Sequence, residues 1–164
     1  MTDQIGRSDA ISLLDRLRAE HERYKDLVTF LPIDKSRLQE DSRRYLCLRC
    51  AGFLEQMVYL TVRHYLSKKT SGPALEFSTS YFKQAPNLTP SALRSVFARF
   101  GADDLAAVNE FIDDSRHDVL SDLLSIRNLV AHGEGIGGAK LDPTRYIELC
   151  EEFHSWCVGR YMSE

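Results

Sequence analysis

No segment of this 164-residue chain strings together the roughly 18 apolar residues that a membrane span requires. No region alternates polar and apolar residues in the way a set of paired strands would. A membrane protein and a sheet-based fold are therefore not expected. Cysteine is sparse: Cys47, Cys50, Cys150 and Cys157 are the whole set, each within an apolar helical pattern, so buried reduced thiols are expected instead of a disulfide framework. A dominant charge of one sign is also missing. The formal net charge is −3, which argues against a protein that holds nucleic acid by bulk electrostatics, because that mode needs a dense basic face to displace counterions. Lysine is scarce too, 6 against 15 Arg, and Arg is the cation that grips a phosphate with a planar fork of donors. The N-terminal MTDQIGRSDA lacks the apolar core of a secretory signal, so a cytoplasmic location is the expectation.

What is present is helical periodicity. With 43% hydrophobic and 27% charged residues, the chain has the size and balance of one domain, residues 1–164 with a core of about 8–162. From Ser8, residues Ile11, Leu14, Leu17, Tyr24, Leu27, Val28 and Leu31 follow helical spacing up to Pro32. A second helix from about Asp41 to Leu66 is apolar nearly all round and must be covered on most faces, which makes it the central helix. Residues 67–90, with three prolines and many small polar residues, read as a long loop with at most a short helical turn. Thr89 or Ser91 can cap a short helix that ends at Gly101, and Asp103 can start a long one running to Arg127. The run GEGIGG after His132 cannot stay helical, and a last helix spans about Pro143 to Met162. The fold class is all-α, an up-and-down bundle of four or five helices.

The spacing Arg-x4-His occurs twice, and roughly half a match is expected by chance. Arg16 and His21 sit within the charged run RLRAEH, where a solvated face is the reading. Arg127 and His132 differ in their surroundings, ending an apolar helix at Gly133. In a continuous helix they would stand roughly 7.5 Å apart along the axis and about 140° apart around it. A glycine cap is expected to end the helix at Ala131 or His132 and swing the imidazole back toward Arg127. Alone, such a cluster commonly caps carbonyls or binds a carboxylate, since cations are favoured at helix C-termini.

The six residues Arg127-Asn128-Leu129-Val130-Ala131-His132 resemble the R-N-x-x-A-H form of the motif of the HEPN superfamily, all-helical domains common in RNA-cleaving toxins and antiviral defence proteins. SALRSVFARFG followed by DLLSIRNLVAHGEG is similar to the branch often labelled RiboL-PSP or MAE-type HEPN. The likeness is strong around residues 92–135, within an order of elements that is similar over about 8–162. It implies a metal-independent endoribonuclease with Arg127, Asn128 and His132 as catalytic residues, RNA as substrate, a homodimer that brings two Arg–His pairs to one cleft, and an antitoxin or other regulatory partner. The residue types suit cleavage by the 2′-hydroxyl: His moves protons near neutrality and Arg supplies permanent charge to the phosphate. Where members controlled by AMP transfer carry Tyr, this chain has Glu134, so that control is not implied.

Glu55, within the apolar run FLEQMVYL, needs a partner: Arg49, Arg63, or Arg127, which it would brace from behind. Glu55 and Glu134 are the supporting carboxylates. Lys68, Lys69, Arg94 and Arg99 are candidate RNA contacts, weighed against ordinary solvated surface. Cys47-x2-Cys50 lies in LCLRCAGF on a helix without the turn and further ligands that zinc needs, so neither a metal nor a cofactor is expected. His64, His117 and His154 have no evident partner in sequence, with His154 read as packing. The other reading for the whole chain is a non-catalytic helical module that binds a nucleotide, RNA or a partner protein.

Overall fold

A helix with apolar residues on every face persists only where other helices cover it, and the chain is built around one such helix. The computed structural model describes residues 2–32, 36–84, 88–133 and 141–163, the side chains of 2–5 and 84 excepted. Among these residues there are seven α-helices and no strand: α1 Thr2–Phe30, α2 Ser36–Ser67, α3 Gly72–Ser80, α4 Pro90–Ala98, α5 Ala102–Phe111, α6 Asp114–Ala131 and α7 Thr144–Tyr161, with a 3-10 turn at Tyr81–Gln84. None of the described helices is long and apolar enough to cross a membrane. The central helix is α2, packed against α1, α6 and α7, while α3 and the 3-10 turn also rest on it.

The buried side of α1 is Ala10, Leu13, Leu14 and Leu17, a stripe at helical spacing, and Ile11 is turned outward at 45% exposure. The expected stripe placed Ile11 inside. A neighbour of Ala10 in sequence stands about 100° from it around the axis, too far to share a narrow seam. α1 also begins earlier than Ser8. Gly6 lets it approach α2 closely, since a Cβ there would meet the Nδ1 of buried His64 at 3.1 Å.

Two expectations about the middle of the chain are corrected. The segment 67–90 is not a long loop, for it holds α3 and the 3-10 turn. Its small polar residues, which suggested a loop, satisfy helix carbonyls instead: Ser78 Oγ donates to the Ala74 carbonyl at 2.8 Å, Thr79 Oγ1 to Leu75 at 2.9 Å and Ser80 Oγ to Phe77 at 2.7 Å. Nor does one helix run from Asp103 to Arg127. The chain breaks at Ile112, and Asp113 caps a new helix by accepting the Arg116 N–H at 2.8 Å. Arg116 fastens the break, donating to the Phe111 carbonyl at 3.1 Å and to Glu152 of α7 at 2.6 Å. These two differences raise the count from the expected four or five helices to seven.

Elsewhere local signals and structure agree. Of the two cap candidates Thr89 is the one used, its hydroxyl accepting from the Ala92 N–H at 3.1 Å, with Pro90 next in line. The four cysteines are free and buried. Around Trp156 of α7 the rings of Phe97, Phe111, Phe153 and Tyr161 gather with centroids 5.0 to 5.9 Å from its own, tying α4 and α5 to the last helix. Asp104 of α5 adds a polar clasp, accepting from Tyr161 Oη and Arg160 Nε at 2.9 Å each.

Candidate functional site

The last turn of α6 carries the Arg–His segment. The helix ends at Ala131, His132 is its cap with φ −90° and ψ 3°, and Gly133 follows at φ +71°. That left-handed angle is one that glycine adopts without steric cost. The His132 N–H still donates to the Asn128 carbonyl at 3.0 Å, and the Gly133 N–H reaches Val130 at 3.1 Å. Helix-type hydrogen bonding thus runs through the histidine and closes at Gly133. The expected glycine cap at the end of α6 is therefore present. On helical geometry the two side chains leave α6 about 140° apart.

Asn128 spans that gap. It precedes His132 by four residues, which puts both on one face a turn apart. Its Oδ1 accepts from Arg127 Nη1 at 3.3 Å, drawing the guanidinium around the helix toward the histidine face. The other fork atom, Nη2, lies 3.6 Å from Glu55 Oε1 of α2. Among the three partners considered for Glu55, Arg127 is therefore the one the fold supplies. Arg49 pairs with Glu20 at 2.7 Å and Arg63 with Glu76 at 3.0 Å. The Glu55 carboxyl is pushed above its usual range because burial penalises the charge more than Arg127 offsets it. His132 is exposed, while Arg127, Asn128 and Glu55 are half-buried. Glu134 lies outside the described residues.

The other predicted contacts are not gathered here. Lys68 and Lys69 follow the end of α2, roughly 18 Å along that axis from Glu55, and Lys69 Nζ sits 4.7 Å above the Tyr65 ring. Arg94 points inward and donates to the Ile112 carbonyl at 3.3 Å, so it serves the α5–α6 break. Arg99 is the exposed cap of α4. His21 stacks on Tyr24 with centroids 6.4 Å apart, His154 is buried beside the backbone of Ala10, and exposed His117 stands 3.4 Å from Asp118. Among the described residues no group of three or more His, Cys, Asp or Glu side chains is arranged to hold a metal ion.

One feature was not foreseen from the sequence. A cleft of about 510 Å3 opens between α1 and the 3-10 turn, with α2 as its floor. Gly52, Glu55, Gln56 and Tyr59 form the floor, and Arg16 and Lys83 stand on opposite walls. Arg16, set aside as solvated surface, thus shares a cavity with the carboxylate that holds Arg127. The only sequence signal was Gly52 inside an otherwise well-formed helix. A glycine there weakens the helix by about 1 kcal/mol relative to Ala, and its missing side chain leaves the floor open: a Cβ at Gly52 would meet nothing within 4 Å. No family model, no curated protein and no solved structure matches the chain.

Proposed function

We propose that the chain is a HEPN-like domain acting as a metal-independent endoribonuclease that cuts RNA by attack of its own 2′-hydroxyl. One observation carries this reading. Arg127, Asn128, His132 and Gly133 form a capped helix end in which the guanidinium is held between Asn128 and Glu55 and the imidazole stands exposed.

In this mechanism Arg127 donates to the phosphate oxygens and stabilises the charge that builds on the pentacoordinate phosphorus. His132 takes the 2′-hydroxyl proton, or gives one to the departing 5′-oxygen. A single chain offers one such histidine, and its Arg and His leave the helix on different sides. Both roles are filled when two copies face each other, so that the His132 of one subunit works beside the Arg127 of the other, and the active unit is a homodimer. The products carry 2′,3′-cyclic phosphate and 5′-hydroxyl ends. In the cell such an activity fits a toxin or an antiviral effector restrained by a partner protein.

The test is incubation of pure protein with RNA in EDTA, beside a His132→Ala variant. Cleavage by the parent with cyclic phosphate ends, and none by the variant, is the expected result. Intact RNA after incubation with a folded, dimeric parent overturns the enzyme and leaves a helical module that binds RNA or a nucleotide without cutting it.

A further inference from the structure

We infer that the cleft between α1 and the 3-10 turn receives one unpaired nucleotide of a single-stranded RNA, with Tyr81 beside it as a stacking platform. This deepens the ribonuclease reading and rests on it.

Four features of the cleft select this occupant. Its volume, about 510 Å3, lies within the roughly 300–1,000 Å3 of small-ligand sites, so there is room for a base with its sugar. Its floor offers an amide and a carboxyl side by side at Gln56 and Glu55, a donor and acceptor set able to meet the edge of a base. Its walls carry one cation each, Arg16 on a wall shared with Asp9 and Lys83 at 3.4 Å from Glu76, both exposed enough to turn to the phosphates on either side of a nucleotide. Next to the lining residue Phe82 is an aromatic ring that the core does not use: Tyr81 is 63% exposed and stands edge-on to Phe82 at 5.3 Å between centroids. Phe77, one helical turn earlier on α3, is 83% exposed.

Exposed rings beside a few cations are what single strands bind to, because every unpaired base has a face to stack. Such a site also accommodates the net charge of −3, since stacking needs no broad basic surface. Glu55 links this cleft to the cutting site, forming part of its floor while its Oε1 lies 3.6 Å from Arg127. A nucleotide in the cleft therefore lies next to the residue that would hold the scissile phosphate.

The experiment measures binding of a fluorescent eight-nucleotide RNA to the full chain by anisotropy, in a His132→Ala background so that the probe survives. Gly52→Leu puts a side chain into the floor at a position where a Cβ meets nothing within 4 Å, and it improves the helix. It is expected to weaken binding at least tenfold. Tyr81→Ala, at an exposed position, is expected to weaken it between about fivefold and a hundredfold, with Tyr81→Trp within twofold of the parent. With two phosphate contacts, the logarithm of affinity should fall against the logarithm of salt with a slope of about −1.4. A duplex of the same length should compete poorly. Unchanged binding in both Gly52→Leu and Tyr81→Ala, absence of any binding, or competition by duplex equal to that by single strand each overturns the site. Cleavage of the unlabelled oligomer by the His132-containing protein is read in parallel. If it is cut while both variants bind normally, the ribonuclease stands and the cleft does not. If it is bound through the cleft but never cut, the ribonuclease falls and the cleft stands.

Discussion

Arg127 and Glu55 meet across α6 and α2 with 3.6 Å between Nη2 and Oε1, and the carboxyl is held above its ordinary pKa in spite of that partner. Burial thus outweighs attraction, and the ionised carboxylate is a cost to the folded state. The sign follows from linkage. A carboxyl whose folded pKa lies above its unfolded one binds its proton more tightly when folded, so the cost is fully present above the folded pKa and is gone below the unfolded value. Glu55→Gln is therefore expected to keep or raise the thermal midpoint at pH 8, and to match the parent near pH 4. RNA cleavage by the same variant should fall about tenfold, equivalent to about 1.4 kcal/mol on the barrier, because the guanidinium loses its ion pair with Glu55. Thermal unfolding at the two pH values checks the first half, and a clear drop in midpoint at pH 8 would show that the ion pair outweighs burial.

Gly133 at φ +71° has open space around it, so replacement there tests backbone strain alone. Gly133→Ala should cost about 1–2 kcal/mol in urea unfolding, the usual penalty for a side chain in the left-handed region. Gly133→Asn should cost less, as asparagine tolerates that region. Relief of the strain by unwinding the last turn would release His132, and cleavage should then fall further than stability does.

Tyr146, fully buried, donates its hydroxyl to Asp122 at 2.6 Å and so joins α7 to α6 ten residues before the motif ends. Burial and that carboxylate together raise the phenol's pKa, keeping it a donor throughout the physiological range. Tyr146→Phe should lower stability by about 1 kcal/mol, at the low end for a bond to a charged group because Asp122 remains partly hydrated. For a chain of this size that corresponds to a fall in Tm of roughly 2–4 °C, measured by calorimetry.

The thiols of Cys47 and Cys157 are pushed up to about 12 by burial, and that of Cys150 is raised as well. The thiolate is the reactive form. At pH 8 a thiol-specific reagent should find almost nothing to label in the folded protein and four equivalents after denaturation. Rapid labelling of any cysteine in native buffer would mean that the interior of α2 or α7 opens readily.

Much of the helical frame is legible in the residues themselves, because caps and apolar stripes act locally. Thr89 with Pro90 marks the start of α4, Gly133 marks the end of α6, and the all-round apolar run after Asp41 identifies α2 as the central helix. The break between α5 and α6 was harder to read. Apolar residues continue at helical spacing on both sides of it, and the competing signal, Asp113-Asp114-Ser115 after Ile112, is a cap sequence inside an apparently continuous pattern. α3 was hidden for a related reason: its Ser and Thr hydroxyls can turn either to solvent or back to the helix, and only the surrounding structure decides. In the candidate site the local pieces, Arg127 through Gly133, were readable. Their contacts were not, since Glu55 lies 72 positions before Arg127 and three possible cations competed for it. The cleft has no linear signature at all, being made by three separate segments and an absent side chain at Gly52.

The ring cluster around Trp156 gives the protein an optical property. It is the only tryptophan in the chain, and its neighbours come from α4, α5 and α7, with Phe111 stacked at 5.1 Å and Phe97 edge-on at 5.0 Å. Indole emission is sensitive to such surroundings, so its wavelength reports the docking of α4 and α5 onto α7 without a label. The same signal, followed during stopped-flow refolding, times the arrival of the helices that precede the motif.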